Sequence, residues 1–344
     1  MLGIFKQTLR SISVATTLGL GIFASSLWVP PALAEEPIVA RLSYHWAPKH
    51  HSAIYSQEFA DRVNERGEGK IRIDTYPSKQ LFGIREIMGA VTAGSVQLGG
   101  VVGTVSFPPV NRNYNAEALP GLFKSFEHLR EFFRETEVGK AVWDDVLKRT
   151  QAKFIAYNPT GPFMTFTSKR PLTSPEAYKG LKARYLSGVE RPRWTALGAD
   201  AVSMPTGEVY TALQNGMIDT FATVPAAIKA YSWWDHVKYA ELPHQFYADS
   251  YILANQAWFD GLPSDVQQLL LAVGEEISAE STASIMAFSD AVLEEFVARG
   301  GQVDTLTDEA QEKFKRINEE SVIPAVSEMI DADVLKAALE FARQ

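Results

Sequence analysis

Three neighbouring segments of this sequence could together bind a carboxylate. A basic strand ends with Lys182, Ala183 and Arg184, a turn follows at residues 204–206, and residues 207–216 have the pattern of a helix. The planar guanidinium of Arg184 can meet a carboxylate with two hydrogen bonds, and each contributes about 1.5–3 kcal/mol when shielded from water. An arginine at the end of a strand more often lies in solvent, so the spacing alone does not establish a binding site.

His45, His50 and His51 form the one histidine cluster that could bind a metal ion. Three imidazoles with an open coordination position can hold zinc. However, no carboxylate stands at ligand spacing within this loop, and Lys49 would repel a cation. We therefore predict ordinary polar contacts with a helix start or with a ligand, and neither a metal ion nor any other cofactor.

The sequence lacks the motifs of the common enzyme classes. It contains no Gly-x-Ser-x-Gly elbow, no His-Glu-x-x-His and no P-loop, and the glycines at 99, 100 and 103 lack the order of a dinucleotide fingerprint. The chain has no cysteine, and therefore neither a thiolate nucleophile nor a disulfide. Acidic pairs such as Glu275-Glu276 are typical of a solvated helix face. We predict that the protein is not an enzyme.

Strands and helices alternate along the chain, and these elements must position the candidate residues. The pattern predicts a strand over Ile38–Tyr44, a helix over His51–Arg66 and a second strand over residues 70–77, which begins a largely parallel sheet. Residues 264–299 contain no proline and keep helical periodicity, with Ser264 as the predicted N-cap. A helix of that length would extend for about 50 Å, more than one small lobe needs.

The N-terminus predicts export. Lys6 and Arg10 precede an apolar run over residues 12–29, and Ala32-Leu33-Ala34 suits a signal peptidase, so we expect cleavage after Ala34 and a periplasmic protein. The alternative is a membrane anchor, although the run is short for a span. Removing residues 1–34 leaves 31 Lys and Arg against 41 Asp and Glu. This acidic balance disfavours nucleic-acid binding.

Longer stretches around Arg184 resemble a known family. They are similar to the signature of the solute receptors, of the DctP family, that serve tripartite ATP-independent periplasmic (TRAP) transporters. The similar segments are Lys179–Arg184, Leu197–Ala199, Met204-Pro205 and Glu208–Asp219, with Tyr76–Gly83 and Ala93–Gln97 upstream and Leu262–Gln267 downstream. The resemblance therefore covers nearly the whole chain after residue 34, in the order of the family.

The resemblance implies an α/β periplasmic binding protein with two lobes, of the type II-like class. Hinge strands would join the lobes, and one long helix would cross both of them. We expect lobe I to comprise residues 35–160 and about 250–290, and lobe II to comprise residues 161–249 and about 291–344. The runs Phe154–Tyr157 and Met164–Ser168 are predicted as strands that pass between the lobes.

The resemblance also implies roles for single residues. Arg184 matches the arginine that clamps the carboxylate of the solute. By this resemblance, Met164, Thr223 and Val102 replace polar residues of the sialic-acid receptors. The replacement predicts a pocket with apolar walls and disfavours a hydroxylated sugar acid. The remaining candidate ligand-binding residues are Tyr210, Phe163, Thr104, His45 and Trp46. Side chains alternate along a strand, so only one of Phe163 and Met164 can face the cleft. The pair Trp233-Trp234 can belong to the core or contact the ligand.

The predicted function is capture of a small-molecule carboxylate between the lobes and delivery to a TRAP permease. The favoured ligand is an aromatic or branched monocarboxylate. A keto acid, a C4-dicarboxylate and a role as a receptor for a periplasmic sensor remain alternatives. The implied partners are the small and large membrane subunits of the transporter, and the receptor itself can be a monomer or a homodimer.

Overall fold

The computed structural model describes residues 36–343, so the predicted signal peptide lies outside the described residues. Within this range the strands form two sheets. The strands are β1 (Ile38–Tyr44), β2 (Ile71–Tyr76), β3 (Leu98–Val102), β4 (Ala152–Tyr157), β5 (Gly161–Thr167), β6 (Lys182–Tyr185), β7 (Asp200–Ser203), β8 (Thr220–Thr223), β9 (Tyr239–Ala248), β10 (Ser250–Asn255) and β11 (Gln302–Thr305).

Helices cover these sheets and connect their strands. They are α1 (His51–Arg66), α2 (Ile87–Thr92), α3 (Gly103–Ser106), α4 (Phe126–Glu135), α5 (Glu137–Thr150), α6 (Glu190–Ala196), α7 (Val209–Gln214), α8 (Pro225–Ala230), α9 (Gln256–Asp260), α10 (Ser264–Ala298), α11 (Asp308–Ile317), α12 (Ile323–Val326) and α13 (Ala332–Phe341). A π-helical turn, Asn318–Val322, separates α11 from α12. None of the helices within residues 36–343 combines the length and the hydropathy needed to span a bilayer.

The two sheets confirm the predicted two-lobed α/β fold. The five-stranded sheet has the order β2-β1-β3-β10-β4, and the six-stranded sheet has the order β11-β9-β5-β8-β6-β7. In the first, β1 pairs in parallel with β2 and β3, as predicted, while β10 is antiparallel to both of its neighbours. In the second, β6 pairs in parallel with β7 and β8, and β5 is antiparallel to β8 and β9. The parallel strands therefore end at one edge of each sheet, where binding sites of α/β proteins form.

The long helix α10 crosses both sheets, as the family resemblance implied. Near its middle, Ser278 accepts a hydrogen bond of 2.8 Å from the backbone N–H of Tyr157 in β4. Near its end, the ring of Phe296 packs edge-on against Phe166 in β5, with 5.9 Å between the ring centroids. One rigid element thus contacts both lobes.

The predicted cap of α10 is wrong by one residue. The helix begins at Ser264, and the capping position is Pro263, whose backbone is extended at φ −54° and ψ 144°. Proline suits a position where no backbone N–H is needed. The Ser264 hydroxyl is therefore already inside the first turn, where it accepts a hydrogen bond of 3.4 Å from Gln268.

Gly274 brings α10 into direct contact with the backbone of β4. A β-carbon at Gly274 would overlap the carbonyl oxygen of Ile155. We therefore expect Gly274→Ala to push the helix off the sheet and to lower the free energy of unfolding by about 1–3 kcal/mol, as overpacking of a core does. Urea denaturation followed by circular dichroism measures this change.

A matched glycine provides the control for this prediction. Gly89 also lies in a helix, α2, but a β-carbon there would meet no other atom within 4 Å. Gly89→Ala should therefore leave stability unchanged or raise it by up to about 1 kcal/mol, because alanine restricts the unfolded chain. Equal unfolding midpoints for Gly274→Ala and the parent protein would contradict the close packing of α10 on β4.

A buried acid pair occupies the crossing between the sheets. Asp249 is the single residue between β9 and β10, and its backbone N–H donates a 2.5 Å hydrogen bond to Glu117. The hydroxyls of Tyr157 and Tyr251 donate to its carboxylate, and Tyr251 also contacts the Tyr114 hydroxyl at 2.7 Å. Burial raises the pKa of Asp249 to about 7, and burial together with the Asp249 charge raises the pKa of Glu117 well above its usual range. The acid pair therefore favours holding a proton.

Candidate functional site

Arg184 lies at the carboxyl end of the parallel strands of the six-stranded sheet. It occupies the third position of β6, and its register partners are Val202 in β7 and Phe221 in β8. Its side chain is only 1 % exposed, and its Nε donates a 2.9 Å hydrogen bond to the carbonyl of Met204, just beyond β7. This bond fixes the orientation of the guanidinium plane.

The charge of Arg184 is buried without an ion pair among residues 36–343. Its Nη2 has no hydrogen-bond partner among the described residues. Burial lowers the pKa of Arg184 to about 10, while the charge of Glu190 acts in the opposite direction. At neutral pH the guanidinium is therefore a fixed cation with an unused N–H donor. A buried donor in this state favours an anionic acceptor, because leaving it unsatisfied costs about 1–3 kcal/mol or more.

Glu190 is a second buried charge in this region that our sequence interpretation missed. It is the first residue of α6, and its Oε1 accepts hydrogen bonds from the N–H and the hydroxyl of Ser187, at 2.9 and 3.1 Å. Its Oε2 has no partner among the described residues, and burial raises its pKa. The Ser-x-x-Glu spacing of a capping box was the signal that could have identified it.

Tyr231, which was also missed, joins the neighbourhood of Arg184 to the five-stranded sheet. It follows α8, and its hydroxyl donates a 3.2 Å hydrogen bond to the carbonyl of His45, beyond β1. Burial raises the pKa of Tyr231, and the charge of Arg184 opposes that rise. Its ring stacks on Trp233 with 5.1 Å between the centroids. The sequence pattern around Tyr231 could not predict this contact, because His45 lies 186 positions away in the chain.

Further contacts join the two sheets on this side. Arg85, between β2 and α2, donates hydrogen bonds to the carbonyl of Leu186 at 3.2 Å and to the hydroxyl of Ser203 at 2.9 Å. The ammonium of Lys79 lies against Gly207. Loops of the five-stranded sheet therefore rest on the carboxyl ends of β6 and β7, which brings both sheets to the same cleft.

Met164 and Thr223 share a sheet face with Arg184. Met164 pairs with Thr223 in register, and two residues further along the same strands Phe166 pairs with Phe221, the partner of Arg184. Because neighbours in register point to the same face and residues two apart on a strand do so too, these side chains lie on one side of the sheet. Two of the predicted candidates are therefore placed on the Arg184 side.

Phe163 lies on the opposite face from Met164. Its ring stacks on Phe246 with 4.4 Å between the centroids. Both Phe163 and Met164 are buried in the apolar core, so the strand face and not the burial distinguishes them. Alternation along β5 thus separates the two candidates, as expected for adjacent strand residues. The two tryptophans also differ: Trp233 is buried and packs edge-on against Phe221, whereas Trp234 is half-buried beneath the guanidinium of Arg299.

Val102 and Thr104 lie where β3 passes into α3. Both are buried, and Val102 pairs with Ser250 in β10. Thr104 lines a cavity of about 770 Å³ together with Arg85 and Leu186. The structure therefore connects this end of β3 to the segment just after Arg184.

His45 and Trp46 form an aromatic wall beyond β1. Their rings lie 4.7 Å apart, and the indole packs against the backbone at Gly100, where a β-carbon would leave it no room. Burial lowers the pKa of His45 to about 3, so this ring stays neutral. Among the described residues, neither His45 Nδ1 nor the Trp46 indole N–H has a hydrogen-bond partner.

The other two histidines have structural contacts. His50 is the N-cap of α1 and accepts a 3.1 Å hydrogen bond from the N–H of Ser52. His51 Nε2 contacts the hydroxyl of Ser284 in α10 at 3.0 Å. Burial lowers the pKa of both imidazoles. Within residues 36–343, no group of three or more His, Cys, Asp or Glu side chains is arranged to hold a metal ion.

Tyr210 is half-buried in α7. Its ring meets that of His236 edge-on, with 4.6 Å between the centroids. This contact accounts for its packing in the lobe, and a hydrogen bond from Tyr210 to a carboxylate stays a prediction.

Comparisons with known proteins identify the family of this chain. The family model described as bacterial extracellular solute-binding protein, family 7, matches residues 42–328. The C4-dicarboxylate-binding periplasmic protein DctP of Rhodobacter capsulatus is 30% identical over 282 residues, which cover 80% of this chain and 79% of that protein.

Solved structures show the same fold. DctP7 of Bordetella pertussis, an extracytoplasmic solute receptor binding pyroglutamic acid, superposes with a TM-score of 0.79 at 22% identity, covering 89% of this chain and 99% of that one. The sugar acid binding protein DctPAm of Advenella mimigardefordensis, in complex with galactonate, superposes with a TM-score of 0.82 at 20% identity. The superposition covers 90% of this chain and 98% of that one.

Proposed function

Because this chain belongs to the bacterial extracellular solute-binding proteins of family 7, we propose that it captures an organic acid for a TRAP transporter. The family consists of solute receptors, so the chain is a receptor and not an enzyme. The proposed partners are the small and large membrane subunits of the permease. Residues 1–34 act as the export signal in this proposal, with cleavage after Ala34 and a mature receptor in the periplasm.

The observation that carries the proposal is the buried, unpaired guanidinium of Arg184. Its Nε is held by Met204, and its Nη2 is an unused donor. A carboxylate that accepts from this group gains a charge-assisted hydrogen bond where water cannot compete. Arg184 is therefore the proposed clamp for the carboxylate of the solute.

Capture follows from closure of two lobes around this clamp. We take residues 35–160 and about 250–290 as lobe I, and residues 161–249 and about 291–344 as lobe II. The contacts of Tyr231 with His45 and of Arg85 with Ser203 join the two sheets and would stabilise a closed form. A solute that binds both lobes shifts the population towards this form, which the permease then receives.

The favoured solute is a monocarboxylate with an aromatic or branched body. Met164 and Thr223 lie on the Arg184 face, and Val102 and Trp46 are buried at the strand ends of the other sheet. Apolar walls with one cation suit such a ligand. In this proposal Thr104, His45 and Tyr210 supply polar contacts, and Phe163 supports the wall from the far face of β5.

A C4-dicarboxylate is the second candidate. Arg85 donates hydrogen bonds to the carbonyl of Leu186 and the hydroxyl of Ser203, so a second cation stands at the strand ends that carry Arg184. Two cations suit a ligand with two carboxylates. The relative from Rhodobacter capsulatus, named as a C4-dicarboxylate-binding protein, supports the same choice.

A ligand panel separates these candidates. We expect residues 35–344 to melt at a higher temperature with phenylacetate or 3-methylbutanoate, because a ligand bound only to the folded state stabilises it by about 2.7 kcal/mol at a hundredfold excess over Kd. Succinate and malate test the second candidate, and galactonate is the sugar-acid control. A shift with galactonate alone would overturn the apolar pocket, and no shift with any acid would overturn the proposed function.

A further inference from the structure

We propose that a cavity on the other face of the six-stranded sheet is a second binding site, for a small organic anion with an apolar body. The cavity has a volume of about 910 Å³ and lies between the sheet and the C-terminal helices. Its size is within the range of about 300–1,000 Å³ found for small-molecule sites. The proposal does not depend on the identity of the solute at Arg184.

Strand register separates this cavity from the Arg184 site. Glu241, which lines the cavity, pairs in register with Thr165 in β5. Thr165 stands between Met164 and Phe166, whose side chains are on the Arg184 face. Alternation along β5 therefore places Thr165 and Glu241 on the opposite face. A ligand in this cavity would not touch the proposed carboxylate clamp.

Arg193 is the group that would recognise an anion. It lies in α6, borders the cavity and is only 6 % exposed, and its Nη1 has no hydrogen-bond partner among the described residues. Its guanidinium is within 6.0 Å of the rings of Tyr178, Trp194 and Phe314. Aromatic faces hold a cation in place. Because they do not accept its in-plane N–H bonds as a carboxylate does, a donor remains for an anionic ligand.

The polar groups beside Arg193 are compatible with an anion. The hydroxyl of Tyr178 donates to Glu241, and the amide of Gln245 donates to Thr165. Burial raises the pKa of Glu241 to about 7, against the opposing charge of Arg193. Below that pH, Glu241 is mostly protonated and does not repel an anion. When Glu241 is protonated, Arg193 is the buried charge of this lining, and the remaining carboxylates that border the cavity are exposed.

The rest of the lining combines buried apolar side chains with exposed charged groups. The exposed charged groups are Asp308, Glu312, Lys315, Glu319 and Arg343. Leu306, Phe314 and Val322 are buried there. The π-helical turn Asn318–Val322 contributes part of this wall. Such turns are rare in regular helices and are frequent at functional sites. The combination of one buried cation and an apolar wall selects for an organic anion over an inorganic one.

The probe for this site is 8-anilinonaphthalene-1-sulfonate, titrated at pH 6 by its fluorescence. We expect saturable binding to the parent protein and to Arg184→Ala, with dissociation constants within about twofold. Arg193→Gln should weaken binding about tenfold or more, the loss of a charge-assisted hydrogen bond. Arg316→Gln is the matched control, because Arg316 lies in α11 but is exposed and is not part of the cavity lining. Its loss should leave the affinity within about twofold of the parent protein, since exposed charges contribute little.

A second variant, which fills the cavity, tests the site even if Arg193→Gln does not fold. Ala342 borders the cavity and is half-buried, so Ala342→Trp should block the probe without removing a buried charge. Near-ultraviolet circular dichroism shows whether each variant is folded. Absence of probe binding to the parent protein would overturn the site. So would folded Arg193→Gln and Ala342→Trp variants that bind the probe with the same affinity as the parent protein. Loss of the probe in Arg184→Ala alone would place it in the solute cleft and overturn the site too.

Discussion

Replacing Arg184 with alanine is expected to weaken binding of the organic acid by about 2–5 kcal/mol, or roughly 30- to 5,000-fold in Kd. The reason is that the carboxylate would stay buried in the closed cleft while its fixed cation is gone. The Nε bond to Met204 sets the guanidinium plane, so a lysine at this position cannot restore a bidentate contact. We expect Arg184→Lys to bind with intermediate affinity. Isothermal calorimetry with the strongest ligand of the panel measures both changes.

Arg191 provides the control for this substitution. It lies in the same region of the chain, in α6, but its side chain is exposed. Arg191→Ala changes the net charge equally and should leave Kd within about twofold, because exposed charges contribute little. An affinity of folded Arg184→Ala equal to that of the parent protein would remove Arg184 from the solute site. Cooperative thermal unfolding of the variant shows that it is folded.

The second large effect concerns the acid pair at the crossing between the sheets. We expect Glu117→Gln to gain stability relative to the parent protein as pH rises from 5 to 8, by at most about 4 kcal/mol, the limit for one proton over about three pH units. Glutamine keeps the acceptor for the backbone N–H of Asp249 and carries no charge. Urea denaturation at several pH values measures the difference in the free energy of unfolding.

The sign follows from the direction of the pKa changes. Burial raises the pKa of Asp249 to about 7, and that of Glu117 is raised as well. A raised carboxyl pKa stabilises the fold below the unfolded value of about 4, and this stabilisation is lost as pH rises through the folded value. The guanidiniums of Arg130 and Arg134 oppose the rise for Asp249 without cancelling it. Each unit by which the folded pKa differs from the unfolded pKa corresponds to about 1.4 kcal/mol in the free energy of unfolding.

Comparing two variants isolates this pair from the histidines. Burial lowers the pKa of His45 and His51 to about 3 and 4, so their contribution to stability is lost as pH falls below about 6.5, which is the opposite trend. The difference between Glu117→Gln and the parent protein removes this shared effect. Glu135→Gln, at an exposed position, should keep the pH dependence of the parent. A constant difference between Glu117→Gln and the parent at all pH values would show that the pKa of Glu117 is not raised in the folded protein.

The fold was largely predictable because its main signals are local. The structure confirms β1 and α1 at the predicted bounds and ends α10 one residue before the predicted end. Side-chain periodicity and the absence of proline depend only on neighbours in the chain, so they can be read without knowing the tertiary contacts. The cap of α10 was misplaced because serine and proline both favour helix starts.

The surroundings of Arg184 were less predictable because distant segments create them. Glu190 has a recognisable local spacing, but Tyr231 contacts His45 across 186 positions of sequence, and Arg85 reaches Leu186 across 101. Such contacts arise from the order of the strands and from packing of the two sheets, and a single sequence carries no periodic pattern for them. The same is true of the pairing of Glu117 with Asp249.

The sequence by itself determined the family, the alternation of strands and helices, the long helix and the position of Arg184 at the end of a strand. Each of these depends on a motif or on spacing between near neighbours. Only the tertiary structure decided that the guanidinium is buried with an unused donor, that Met164 shares its face while Phe163 does not, and that Arg193 borders a separate cavity. Burial and hydrogen-bond satisfaction are properties of the packed chain, because they depend on which distant atoms exclude water from each group.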